Sequence, residues 1–236
     1  MITLYHPNID STTNFCSDLP DSERKHLRTL RVRLGEPIRI VNGKGTACSG
    51  TLAQFETSVC IIDHLELAPS LELIGERILL LAKIAQPRLE WAIEALTPLG
   101  LTKLIIIETE FTQPNAIRRD RLLRVAETAM KQCQRSQLPE VDIGLERNGI
   151  AWKDALILLK GMPDNIKRIV ADPDGEPISI IRTFPEQDFL FVVGPEAGLS
   201  KQEVDELLDR KYIPVTLGAR LLRSELASVV AFANLL

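Results

Sequence analysis

From Ile78 onward, nearly continuous apolar runs alternate with segments of helical period. ILLLAKI, KLIII, KRIVAD, FLFVVG and IPVTLG read as strands, whereas RLEWAIEAL, RRDRLLRVAETAMKQCQ, AWKDALILL, KQEVDELLDR and SELASVVAFANLL read as helices. Strands without polar alternation have to be buried on both faces, and the helices between them supply the cover. The expectation is an α/β domain on a parallel sheet. Ligands of such sheets lie beyond the carboxyl ends of the strands, so functional residues belong in the segments that follow each strand. Two common nucleotide sites are excluded. No Gly-x-Gly-x-x-Gly follows the first of these strands, and Gly43-Lys44-Gly45-Thr46 lacks the upstream glycine of a P-loop.

The front of the chain has another rhythm. Residues 32–63 read as short strands, alternating with period two from Ile38, with Asn42-Gly43 as a hairpin turn. This predicts a small β-rich barrel over 1–70, followed by the α/β part over 71–236, with the aperiodic stretch 67–77 as linker. The net charge of −4 argues mildly against a polyanion partner, but its distribution does not. Arg24, Lys25, Arg28, Arg31, Arg33, Arg39 and Lys44 face only Glu36, and Arg118, Arg119, Arg121, Arg124, Lys131 and Arg135 form a second basic run. The four cysteines have no Cys-x-x-Cys spacing and only three histidines beside them, which predicts reduced, buried thiols and no metal. No apolar run reaches the ~20 residues of a membrane span, and MITLYHPNID has no signal-peptide character, so a cytoplasmic protein is expected.

Two segments carry the chemistry. FLFVVGPEAGLSKQE runs a buried strand into Gly194-Pro195-Glu196-Ala197-Gly198, where the glycines permit tight turns and close approach of a ligand. Ser200 and Glu203 then fit a capping box for the next helix. IPVTLGARLLRSELASVV repeats the plan: a strand ends at Leu217-Gly218, and Arg223-Ser224-Glu225 opens the last helix with Ser224 as N-cap. Arg223 and Glu225 at that start fit either a first-turn ion pair or a polar substrate contact.

Together these segments resemble the SPOUT superfamily of methyltransferases, and within it the family that methylates N3 of a uridine in small-subunit (16S) ribosomal RNA. The family's Gly-Pro-Glu-Gly-Gly loop and Leu-Gly-x-x-x-Leu-Arg-Thr-Glu motif stand here as Gly194 to Gly198 and Leu217 to Glu225. The likeness extends to His26 through Gly35, Asn42-Gly43, Lys83, Arg88-Leu89-Glu90, Leu99-Gly100, Gln132 through Arg135 and Leu138-Pro139-Glu140. Pro98, Phe111 and Lys131 depart from the pattern, which has glutamate, arginine and glutamate there.

The resemblance implies a PUA-like RNA-binding barrel, then a SPOUT-type α/β domain with a C-terminal trefoil knot, in a homodimer. It implies S-adenosylmethionine as cofactor, held by Ala171, Asp172, Val193, Gly194, Pro195, Glu196, Gly198, Leu217, Gly218, Leu221 and Leu222. Ribosomal RNA would be met by Arg24, Lys25, Arg28, Arg31, Arg33, Arg118, Arg121 and Arg135. Arg223 would stabilise the developing uracil anion, with Glu225 or Glu196 orienting the base or accepting its proton. Other readings are a knotted methyltransferase acting on a ribose 2′-hydroxyl or a tRNA base, and an RNA-binding assembly factor without catalysis.

Overall fold

A computed structural model of the chain describes residues 1–56, 60–114, 116–144, 149–181 and 188–234. The ends of two expected elements, Ser58-Val59 and Leu235-Leu236, lie outside the described residues. Packing divides the chain into two units, 1–72 with 127–138 and 73–126 with 139–236.

In the second unit the apolar runs form β5 (Arg77–Ala82), β6 (Lys103–Glu108), β7 (Glu140–Asp142), β8 (Ile150–Ala151), β9 (Lys167–Pro177), β10 (Phe189–Val193) and β11 (Ile213–Thr216). They make one sheet of order β11-β9-β10-β5-β6-β7, with β8 on β6, and every pairing is parallel. Between them run α2 (Gln86–Leu96), α3 (Arg119–Gln132), α4 (Trp152–Lys160), α5 (Lys201–Leu208) and α6 (Ser224–Ala233). Both faces are covered. Ile78, Leu80, Ile105, Ile107, Leu190 and Val192 pack with Ala155 and Leu159 of α4 and Leu207 of α5. On the opposite face α6 lies on β5 and β10 and packs against α2. This satisfies the expectation drawn from unalternated strands.

β9 is longer than its apolar core. Its register with β11 runs Ile169 to Ile213 and Val170 to Pro214, then jumps to Glu176 opposite Val215. Residues 171–175 therefore leave the ladder as a wide irregularity. Gly175 lies so close to the neighbouring backbone that a Cβ there would sit 2.5 Å from Pro214 C and Val215 N. The Pro-Asp-Gly-Glu-Pro composition of this stretch signals a turn, which is why the sequence placed the strand's end at Asp172.

The first unit holds β1 (Ile2–Tyr5), α1 (Asp21–Leu30), β2 (Pro37–Val41), β3 (Ala47–Phe55) and β4 (Cys60–Leu67). The sheet order is β1-β2-β3-β4, with β1 parallel to β2 and the remaining pairs antiparallel. Leu4, Leu27, Ile38, Ile40, Leu52 and Ile62 form its core together with Cys16, Cys48 and Cys60. Those thiols are buried and unbridged, as the irregular spacing implied. Asn42-Gly43 opens a longer loop than a two-residue hairpin: the Asn42 carboxamide oxygen accepts the amides of Lys44 at 2.8 Å and Thr46 at 3.0 Å. Residues 136–138 bind this loop, Gly45 N donating to Ser136 O and Leu138 N to Gly43 O. Glu72 anchors the same segment, accepting from Arg135 Nε at 2.8 Å, Ser136 N at 2.6 Å and Gln137 N at 2.9 Å.

Gly175→Ala should force β9 and β11 apart, because the added methyl meets backbone rather than a side chain that can turn away. The expected loss is about 3 kcal/mol, read from urea unfolding; a stability equal to wild type would show that this approach is not required.

Candidate functional site

The segments singled out by sequence leave the carboxyl ends of adjacent parallel strands. Val170 of β9 pairs with Val192 of β10, so Ala171 and Asp172 continue at the level where β10 ends at Val193. They lie inside the irregularity of β9 rather than after the strand, and the Asp172 carboxylate accepts the Asp174 amide at 2.9 Å. After Val193 the chain turns tightly, the Gly198 amide donating to Pro195 O at 2.8 Å. A Cβ on Gly194 would stand 2.9 Å from Leu199 N, so that glycine serves closure of the loop itself rather than approach of a ligand. Gly198 (φ 80) and Gly218 (φ 135) differ: a Cβ at either would meet open space. Glu196 and Gly198 are exposed, as are Gly218 and Leu221, the latter 88% exposed, while Leu217 and Leu222 are half-buried.

Ser200 and Glu203 form the expected capping box. Glu203 does more, because its second carboxylate oxygen accepts the Glu110 amide at 2.7 Å and ties the segment after β6 to the start of α5. Ser224 corrects the other expectation. Arg223, with extended backbone (φ −66, ψ 151), occupies the N-cap without a side-chain cap, and Ser224 is already helical and buried. Its carbonyl accepts the Ser228 hydroxyl at 2.8 Å.

Glu196 and Glu225, far apart in sequence, meet at one cation. Arg88, in the first turn of α2, is ion-paired with Glu196, and its Nε stands 4.0 Å from Glu225 Oε1. The recorded ion pair of Glu225 is thus with Arg88, not with its neighbour Arg223, which is exposed. Glu225 Oε2 is buried without a hydrogen-bond partner among the described residues. Such an orphaned acceptor calls for a donor from a ligand or water. At the ends of β5 and β6, buried Lys83 is ion-paired with Glu108, so its charge is matched within the sheet edge. Sequence singled out Lys83 and Arg88 only as part of a family pattern, because no local spacing joins either to its carboxylate partner.

The proposed RNA contacts divide. Lys25, Arg28, Arg31 and Arg33 are exposed on and just after α1, with Arg28 stacked 5.9 Å from the Phe55 ring centroid. Arg24 is half-buried and paired with Asp21. Arg118 and Arg121 are exposed, Arg121 bonding Glu90 at 2.7 Å. Arg135 departs from its expectation: it is 5% exposed and held by Glu72, so it serves the first unit's interior. Lys131 has a similar local reason, its ammonium lying 2.5 Å from buried Glu23 and 3.2 Å from Glu127.

His6, Cys16 and Asp18 bring metal-ligand atom types within 4.8 Å of one another. The hydrogen bonding describes a different arrangement. His6 Nδ1 accepts the Asn8 amide at 3.2 Å, which leaves the proton on Nε2 for Asp18 at 3.1 Å. Burial, aided by the Asp18 charge, pushes the Cys16 thiol up to about 11. No described helix is long and apolar enough to cross a membrane.

Residues 73–236 match the model of a family described as the RNA methyltransferase domain. The ribosomal RNA small subunit methyltransferase E of Rickettsia conorii is 25% identical over 87% of this chain and 82% of its own. The protein of that name from Bacillus subtilis is 27% identical over 62% of this chain and 59% of its own. A crystal structure of a ribosomal RNA small subunit methyltransferase E from Neisseria gonorrhoeae, bound to S-adenosyl methionine, superimposes with a TM-score of 0.84. The identity is 26%, over 99% of this chain and 95% of the other.

Glu203→Ala removes two amide acceptors from a residue only 4% exposed. It should lower stability by about 2 kcal/mol in urea and speed amide exchange at Glu110 and Ser200. Unchanged exchange at both amides would contradict the linking role.

Proposed function

Because the chain belongs to the RNA methyltransferase domain family, we propose that it methylates small-subunit ribosomal RNA with S-adenosylmethionine, at N3 of a uridine in the 16S molecule. The observation that carries this reading is the convergence on Arg88 of the loop after β10 and the start of α6, with a buried carboxylate oxygen beside it that has no donor among the described residues. The residues fit the cofactor: open space at Gly198 and Gly218 leaves the backbone of both loops approachable, and an adenosine offers hydroxyl and amino donors. Ala171, Asp172, Val193 to Gly198 and Leu217 to Leu222 would surround it. When bound, S-adenosylmethionine supplies an electrophilic methyl group carried on a sulfonium.

The chain's own part follows from the substrate. Uridine N3 bears a proton on the Watson–Crick edge, so the base has to be unpaired and splayed into the site. A carboxylate, Glu225 or Glu196, accepts that proton, Arg223 stabilises the developing charge on the ring, and the loops hold N3 in line for transfer. The exposed cations of the first unit, Lys25, Arg28, Arg31 and Arg33, with Arg118 and Arg121 of the second, would hold phosphates.

The finer architecture belongs to the same proposal. The first unit is read as a PUA-like RNA-binding domain. The C-terminal segment is read as a trefoil knot. A homodimer is proposed, and exposed Trp91 and Leu226 on the packed helices α2 and α6 offer it apolar surface. A ribosomal RNA substrate sets the reaction in the cytoplasm.

Primer extension across small-subunit RNA, from cells with and without this protein, should give a stop at one uridine that vanishes on deletion. An unchanged pattern would refute the assignment, and a stop elsewhere would redirect it to another RNA position. Arg223→Ala should abolish transfer while leaving S-adenosylmethionine affinity, by calorimetry, within about twofold of wild type. Strong turnover by that variant would remove Arg223 from the mechanism.

A further inference from the structure

Arg88 stands where helix physics disfavours it. The first turn of α2 contains no acidic residue, and a cation there opposes the positive end of the helix dipole. Pro87 beside it rigidifies the helix start, and the guanidinium is only partly exposed, its side chain 36% accessible. Carboxylates from elsewhere in the second unit offset this placement: Glu196 from the loop after β10, and Glu225 from the first turn of α6. A residue that breaks a local rule and is compensated at a candidate site is one expected to serve that site.

The two carboxylates are not equivalent. Glu196 is engaged directly by the Arg88 guanidinium, and its side chain is 46% accessible. Glu225 is 8% exposed, stands at 4.0 Å from Arg88 through one oxygen, and has its other oxygen buried with no donor among the described residues. We infer that Arg88 is a positioning residue for methyl transfer, which anchors Glu196 and orients Glu225 so that Glu225 Oε2 is the acceptor offered to the substrate. The inference rests on the methyltransferase reading above and decides between the carboxylates which that reading left open. In the step itself, the N3–H bond breaks and its proton passes to Glu225 Oε2; the electron pair left on N3 would form the bond to the methyl carbon as the sulfonium–methyl bond breaks, its electron pair going to sulfur so that S-adenosylhomocysteine would leave.

The test uses the full-length protein with small subunits lacking the modification. Glu225→Gln should slow single-turnover transfer about tenfold more than Glu196→Gln does. Arg88→Met should lower kcat about tenfold with KM for the subunit within about twofold, and Arg88→Lys should recover most of the loss. Hydrogen exchange supplies a readout apart from activity: Arg88→Met should raise exchange in peptides covering 194–198 and 223–227, and Arg88→Lys should raise it less. Equal losses for the two glutamine variants would overturn the assignment of the acceptor. Wild-type kcat in Arg88→Met would overturn the positioning role. If the wild-type protein transfers no methyl to small subunits, the functional reading fails. The anchoring of Glu196 and Glu225 by Arg88 is then decided by exchange alone, standing if Arg88→Met raises it in both peptides and falling if it does not.

Discussion

A parallel sheet covered on both faces leaves chemistry only one place to go. With Ile78, Leu80, Leu190 and Val192 packed under α4 and α5, and the opposite face under α6, polar side chains find room only where strands end. Every strand of the second unit points the same way, so Lys83, Glu108, Asp172, Glu196 and Leu217 are all delivered to one edge. A charge buried at that edge has to be matched, as Lys83 is by Glu108. The Glu225 oxygen that has no donor among the described residues is conspicuous against that background.

What could be read from sequence followed from periodicity. β5, β6, β10 and β11 were legible because buried parallel strands are written as unbroken apolar runs, and the capping box at Ser200 because its spacing is local. Three kinds of feature were not. α1 is mostly charged on its surface and buries only Glu23 and Leu27, so its letters registered only as part of a basic run. The outer part of β9 is written in turn residues, and only its pairing with β11 keeps it extended. The Arg88 cluster joins residues 108 positions apart, a relation no window along the chain contains. Ser224 is intermediate: the helix start was placed within one residue, but the cap is decided by the backbone of Arg223, which composition does not specify.

Charge is where counting residues misled most. Arg135 and Lys131 add to a basic run in sequence, yet both are consumed by acids of the first unit's interior, Glu72 and Glu23. The pair of Arg24 with Asp21 lies at the surface, where an ion pair is worth ~0–1 kcal/mol and a phosphate can replace the carboxylate at little cost. Burial therefore sorts these arginines into structural and available groups better than their density does.

The first unit is not a continuous stretch of chain. Glu72 and the loop at Gly43–Gly45 receive their partners from Arg135, Ser136 and Leu138, after more than fifty residues that belong to the other unit. During synthesis, the amino-terminal sheet can pair its strands early, but Glu72 lacks the donors of Arg135, Ser136 and Gln137 until residue 137 has cleared the exit tunnel. Maturation of the front unit is thereby coupled to translation of the strands that begin the second, and a nascent chain arrested before that point would carry an incomplete one.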